Sequence, residues 1–299
     1  MRVSAACIRC MVERQEERVR SLKDESKKAE YLKAVLRVIG QSDTETSAPE
    51  LVEDISKAYA EYFGEEQDYQ EIKRMHNQKM LDIESQIWQQ ICNAEEPLER
   101  AILYARAGNY IDYGAMSTVE ESVLETLIQN VERETLDETC YRDFRCDLEQ
   151  ASKLVYVTDN CGEIVLDKQL IRVWKERYPK LDITVLVRGK QVLNDATIED
   201  AQQIGLTELV PVLENGSGIA GTSMRSINET SKKMLEDADV ILAKGQGNFE
   251  SLYGCGLNVY YLFLCKCDWF VRRFDLTKNA GECFDFGMKN TSKATDFYI

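Results

Sequence analysis

Three short stretches carry the side chains most able to do chemistry. Residues 153–168, KLVYVTDNCGEIVLDK, run from an apolar segment into Asp159-Asn160 and then Cys161-Gly162-Glu163. Adjacent carboxylate and amide oxygens are hard ligands suited to Mg²⁺ or Mn²⁺, and the N–H groups of a following helix suit a phosphate. Asn194-Asp195-Ala196-Thr197 follows a second apolar run and offers a second carboxylate. Mg²⁺ keeps several waters and takes one or two protein carboxylates beside a substrate phosphate, so Asp159, Asn160 and Asp195 are a sufficient set. Lys244 closes a third run, ahead of Gly245, Asn248 and Glu250 in KGQGNFE. A lysine there supplies a point charge for a phosphate, beside glycines that let backbone approach a ligand. Each stretch also has a plainer reading. Asp159-Asn160 and Asn194 to Thr197 are good turn and helix-cap residues, and Lys244 can be a surface lysine beside a tight turn.

These side chains meet only if a scaffold brings loop ends together. Residues 153–158 are too few for a helix and do not alternate, which predicts a strand buried on both faces of a parallel sheet. Ile164, Leu166, Leu170, Ile171 and Trp174 then have helical spacing as far as Pro179. Further strands are expected at 183–187, 209–213, 240–243 and 259–264, with helices near 164–178, 197–204 and 224–236. This alternation predicts an α/β region over 151–299 with a parallel, doubly wound sheet, and all three stretches fall at carboxyl ends of strands, where such sheets bind ligands. Residues 1–150 read as a helical domain, with periodic segments at 12–22, 29–39, 51–63, 69–90 and 98–108 punctuated by Gly40, Pro49, Gly64 and Pro97. The polar tail from about residue 275 is expected to be a closing loop and short strand. No repeat or long linker separates the two parts, so they should pack together.

The chain has 299 residues, 44% hydrophobic and 30% charged, with a formal charge of −15. That charge argues against nucleic acid or an anionic membrane as partner, and an anionic substrate would need local positive charge or a metal. No run approaches the roughly 18 apolar residues of a spanning helix, and the first residues lack the apolar core of a signal peptide, so a cytoplasmic protein is expected. The ten cysteines are dispersed and are expected as thiols. With His76 the single histidine, multi-histidine zinc and iron sites are excluded. Any metal is held mainly by oxygen or thiolate.

Three other patterns are less directive. Cys7-Ile-Arg-Cys10 is one Cys-x-x-Cys pair with no second pair to complete a zinc site, so it is structural or incidental, or else metal-binding or redox-active. Asn109 and Asp112 follow Gly108 as a cap sequence, and matter only if the fold brings them to Asp159. Gly216-Ser-Gly218-Ile-Ala-Gly221 matches a dinucleotide fingerprint literally, but the next predicted strand lacks the ribose-binding acid at its carboxyl end.

Taken together, DNCGE at 159–163, NDAT at 194–197, KGQGNFE at 244–250, GNYID at 108–112 and CIRC at 7–10 resemble the damage-control phosphatase family, formerly linked to protein carboxyl methylation. The resemblance spans nearly the whole chain, and CIRC marks the mainly prokaryotic subgroup. It implies a helical N-terminal domain on a three-layer α/β/α domain. It also implies a metal-dependent phosphomonoester hydrolase acting on small phosphorylated metabolites, such as sugar phosphates or damaged cofactor or nucleotide-related phosphates. Asp159, Asn160 and Asp195 would hold Mg²⁺, Mn²⁺ or a similar ion such as Co²⁺ or Ni²⁺. Lys244 takes the place of the family's substrate-phosphate lysine, with Gly245, Asn248 and Glu250 beside it. Gly162 and Glu163 are further candidate substrate contacts, and Asn109 and Asp112 fall on the pocket wall supplied by the helical domain. Cys161 stands where small residues such as Ala are common.

The chemistry follows. Metal and Lys244 would stabilise the transition state, a water or Asp159 itself would attack phosphorus, and Glu163, Asp195 or Asp112 would handle protons. Two other classes compete. An S-adenosylmethionine-dependent carboxyl methyltransferase wants a glycine loop where DNCGE stands. A non-catalytic phosphometabolite-binding protein gains nothing from two acids without a metal. The sequence does not set the oligomeric state.

Overall fold

The computed structural model describes residues 1–64, 68–108, 120–265 and 267–274. Side-chain caps start the first helices. Ser4 accepts from the Cys7 N–H at 3.1 Å ahead of α1 (Ala5–Val19), and Asp24 accepts from the Lys27 N–H at 2.9 Å ahead of α2 (Glu25–Gln41). Ser47 and Glu50 form a capping box on α3 (Ala48–Phe63), with Pro49 in its first turn. These three helices enclose a small core of Met11, Val19, Tyr31, Val35, Leu51 and Ile55. Glu50 then docks the group onto the second half of the chain, accepting from Ser223 Oγ at 2.8 Å and Ser226 Oγ at 3.2 Å.

Helices α4 (Gln70–Cys92), α5 (Pro97–Ala107), α6 (Glu120–Arg133) and α7 (Glu138–Gln150) precede the first strand. The strands are β1 (Lys153–Val157), β2 (Asp182–Val187), β3 (Val212–Glu214), β4 (Val240–Lys244) and β5 (Val259–Leu262). Among the described residues they form one parallel sheet in the order β3-β2-β1-β4-β5. Successive residues of β1 point to opposite layers. Leu154 and Tyr156 join a core with α4 to α7, α8 (Glu163–Arg177) and α9 (Ile198–Gln203), whereas Val155 and Val157 join a core with α10 (Glu229–Glu236), α11 (Gln246–Leu252) and α12 (Asp268–Arg273). Burial on both faces is why the strand is apolar throughout. The larger core runs without interruption from Met80 on α4 to Leu262 on β5, so α4 to α7 pack on the sheet's own helical layer.

The structure moves several element boundaries. The strand expected at 209–213 is β3, three residues that begin after Pro211 and end at Glu214, following a 3₁₀ turn at Leu206–Glu208. Pro211 has no N–H for a ladder, so pairing starts after it. The helix expected from 224 starts at Glu229, because Asn228 caps it by accepting from the Ser231 N–H at 2.8 Å. The glycines of KGQGNFE do not form an open loop: the chain turns at Gly245 and enters α11, which contains Gly247 and Asn248. Helix α12 went unread because only six residues carry it. The tail from 275 lies outside the described residues.

Because α4 shares the main core with the sheet, truncating Ile87, which is fully buried on α4, is expected to cost about 2–5 kcal/mol. Urea unfolding of Ile87→Ala should shift the transitions seen by helical circular dichroism and by tryptophan fluorescence together. A shift confined to one signal would contradict a shared core.

Candidate active site at the carboxyl edge of the sheet

Asp159-Asn160 leaves the carboxyl end of β1, beside β4, where the strand order reverses direction. Asn160 and Asp195 face each other in an isolated antiparallel bridge, closed by the Cys161 N–H to Asn194 O at 2.8 Å and the Ala196 N–H to Asp159 O at 2.7 Å. In such a non-hydrogen-bonded pair the Cα atoms approach to about 4.5 Å and the side chains share one side. Backbone pairing therefore brings the DN and ND motifs together. Leu193, just before Asn194, takes φ +46° and is 42% exposed, an uncommon conformation for a branched apolar residue.

Gly162 turns the chain into α8 with φ +72°. Its N–H donates to Asn77 Oδ1 of α4 at 2.7 Å, and the Asn77 amide donates to Asp200 Oδ1 and Gln203 Oε1 on α9 at 2.8 and 2.9 Å. Lys73 of α4 pairs with Asp200 at 2.7 Å. The helical layer thus pins the site loop directly. His76 lies in the same seam, buried, its Nδ1 3.8 Å from Cys161 Sγ. The N–H groups of Gly162 and Glu163, expected to suit a phosphate, are engaged by Asn77 Oδ1 and Cys161 O.

The side chains form two linked sets. Asn160 Nδ2 donates to Asp159 Oδ2 at 2.8 Å and to Glu163 Oε1 at 2.7 Å, so both amide hydrogens are engaged and its carbonyl oxygen is left for another ligand. Glu163 Oε2 accepts from Lys244 Nζ at 3.1 Å, and Lys244 also donates to Asp167 Oδ1 at 2.9 Å. Tyr156 OH donates to that same Asp167 oxygen at 2.6 Å. In the second set, Arg188 donates from Nε to Asp195 Oδ2 at 2.6 Å and from Nη1 to Thr222 Oγ1 at 3.1 Å, and its Nη2 stands 3.8 Å from Asp159 Oδ1.

Four carboxylates, Asp159, Asp195, Glu163 and Asp167, meet two cations here, Arg188 and Lys244. Burial pushes Asp159 well above the usual carboxylate range, and the neighbouring Asp195 and Glu163 push it further. Burial also raises Asp195, with Arg188 opposing. Burial lifts Asp167 to about 6 against the pull of Lys244. Burial alone would lower Lys244, but Asp167 and Glu163 outweigh it and raise it. An excess of shielded negative charge is the environment a divalent cation relieves. The donor set is oxygen only: Asp159, Asp195 and the Asn160 carbonyl. Among the described residues no three His, Cys, Asp or Glu side chains form a metal cluster, so water and phosphate oxygens would complete the shell, as Mg²⁺ prefers.

The structure gathers Asp159, Asn160, Gly162, Glu163, Asp195, Lys244 and Gly245 in one place. Asn248 is fully buried beneath them. Its Nδ2 donates to the carbonyls of Thr158 at 2.9 Å and Lys244 at 2.6 Å, and its Oδ1 accepts from Thr222 at 2.8 Å, so it joins loops rather than facing outward. Glu250 stands apart, accepting from Gln246 at 2.7 Å while its carbonyl takes the amine of Met1. Asn109 and Asp112 lie outside the described residues. Gly108 before them touches the site: a Cβ there would come within 3.0 Å of Glu163 Cγ. Cys7 is half-buried and Cys10 exposed on α1, both as thiols. Arg188, Asp167, Asn77 and Thr222 were not singled out from the sequence. Arg188 had a readable signal, since it closes the apolar run of β2 just as Lys244 closes β4.

Gly245 has φ +80°, and a Cβ there would lie 2.1 Å from the Asp159 carboxyl carbon. Gly245→Ala is therefore expected to displace Asp159 and abolish Mn²⁺ binding measured by calorimetry; unchanged affinity would contradict this packing. Burial raises both Asp159 and Asp195, and both must be ionised to bind a cation, so Mn²⁺ affinity of the unmodified protein should tighten, with proton release, as pH rises above the ordinary carboxylate range. A flat profile would contradict the assigned ligands.

Residues 3–293 match the model of the damage-control phosphatase ARMT1-like domain. The chain is 33% identical over 254 residues to an uncharacterised protein of Methanocaldococcus jannaschii, covering 82% of each. It is 32% identical over 233 residues to a protein of Archaeoglobus fulgidus named damage-control phosphatase, covering 76% of this chain and 78% of that one. A crystal structure of a DUF89 family protein from Pyrococcus horikoshii superposes with a TM-score of 0.80 at 24% identity, covering 97% of this chain and 100% of that one, a likeness of fold. With nearly its whole length matched, the chain belongs to the damage-control phosphatase ARMT1-like family.

Proposed function

We propose that this protein is a metal-dependent phosphomonoester hydrolase acting on small phosphorylated metabolites. The observation that carries the reading is the meeting of Asp159, Asn160 and Asp195, two carboxylates and a carbonyl oxygen, at the switch point of the sheet. The relatives named damage-control phosphatase support the reaction class. A divalent ion held by these three residues would supply Lewis-acid polarisation of the phosphoryl oxygens and offset the charge between carboxylates and phosphate.

The remaining residues prepare that place. Lys244 acts through Glu163: the ammonium holds Glu163, and Glu163 holds the Asn160 amide. Of the carboxylates named for proton handling, Glu163 has both oxygens bonded. Asp195 has one oxygen on Arg188, and its Oδ1 is the one assigned to the cation, so neither of these two acids is free to carry a proton. A cleft of about 840 Å³ opens beside Val192 and Leu193, next to the ND motif, its walls carrying Arg18, Lys57 and Lys190 together with Glu53 and Asp68. Lys57 is paired with Glu53 and Asp54, at 3.5 and 2.8 Å. Among the described residues no helix is long and apolar enough to cross a membrane.

The test is phosphate release from a generic phosphomonoester, then from a panel of sugar and cofactor phosphates. It is run with EDTA and after adding back Mg²⁺, Mn²⁺, Co²⁺ or Ni²⁺. Release should stop with EDTA, return with metal, and fall by at least about 10²-fold in Asp159→Ala while the circular dichroism spectrum is kept. Equal rates in Asp159→Ala and parent, or rates indifferent to EDTA, would contradict the proposal.

A further inference from the structure

We infer that Arg188 is a positioning residue that aims both metal-binding carboxylates, and that its one unbonded nitrogen is reserved for Asp159. Arg188 is fully buried at the carboxyl end of β2, yet Nη2 makes no hydrogen bond. Buried donors are rarely left so, and an arginine keeps its charge at any working pH, so the cost is fixed and calls for a reason.

The surroundings supply one. The guanidinium is a rigid fork held on two prongs, by Asp195 Oδ2 through Nε and by Thr222 Oγ1 through Nη1. Thr222 is itself held by Asn248, which is bonded to the carbonyls of Thr158 and Lys244. Loops following β1, β2, β3 and β4 thus converge on one buried relay that fixes the guanidinium plane. The third prong then points at Asp159 Oδ1 from 3.8 Å, less than about 1 Å beyond a normal hydrogen bond. A small rotation of Asp159, 14% exposed and resting against Gly245, closes that gap. In the cation-bound state each carboxylate receives one Arg188 hydrogen bond, which turns its other oxygen towards the cation. Hydrogen bonds of this kind to metal-binding side chains set their orientation.

Two effects of Arg188 on a cation have opposite signs, which makes the assignment testable. As a bare positive charge it repels the metal, and its removal would tighten binding. As the group that aims Asp159 and Asp195 it favours the metal, and its removal would loosen binding. The inference rests on the metal site proposed above but reads metal affinity rather than turnover.

The experiment is Mn²⁺ binding by calorimetry to the full-length parent, Arg188→Gln, Arg188→Lys and Thr222→Val. Arg188→Gln should weaken Mn²⁺ by about 10–100-fold. Arg188→Lys, which keeps the charge and loses the fork, should weaken it too. Thr222→Val changes no charge and should weaken it by a smaller factor; this variant carries the test if the Arg188 variants do not fold. Mn²⁺ binding unchanged or tighter in Arg188→Gln, or unchanged in Thr222→Val, would overturn the assignment, as would a parent that binds no Mn²⁺. A parent that binds Mn²⁺ yet releases no phosphate from any substrate would contradict the phosphatase reading alone and leave this one standing.

Discussion

Two like-charged carboxylates, Asp159 and Asp195, are held side by side in a place largely shielded from water, and the rest of the site answers to that constraint. Left alone, such a pair repels and takes up a proton. Here a cation approaches from each side: Arg188 reaches both acids, and Lys244 is shared between Glu163 and Asp167 on the flank towards α8. Four acids against two bases still leave an excess of negative charge. A divalent ion is the simplest complement to that excess, and a phosphate the simplest partner for the ion.

Positioning is shared between the sheet and the helices that cover it. The strand ends fix the two motifs, but the loop joining β1 to α8 is also held by Asn77 of α4, while Asp200 on α9 is held by Asn77 and Lys73 together. Glycine at 245 lets Asp159 lie directly on the backbone of the β4 turn, and glycine at 108 lets the end of α5 close on Glu163. Covering helices and the carboxyl edge of the sheet therefore form one packed unit, which agrees with the uninterrupted core between α4 and β5.

Much of this was legible in the sequence, for physical reasons. Strands buried on both faces need unbroken apolar runs, so β1, β2, β4 and β5 and their parallel arrangement could be read, and with them the edge where Asp159 and Asp195 emerge. Pro211 misplaced β3, because one missing N–H outweighs the apolar run around it. Partners were not legible. Asn248 and Asn160 both follow the carboxyl end of a strand in the sequence, yet one ties backbone segments together and the other presents its oxygen, and only tertiary contacts decide which. Arg188 was hidden because a charged residue at the end of a buried strand reads as the strand's exit to solvent, whereas here it is enclosed.

The central claim is that Asp159, Asn160 and Asp195 hold one divalent cation. The most direct measurement is anomalous diffraction at the manganese edge from crystals soaked in Mn²⁺. The account predicts a single strong peak within coordination distance of all three side chains, with one Asp195 oxygen still on Arg188. No peak there, or a peak at other residues such as Cys7 and Cys10, would contradict it.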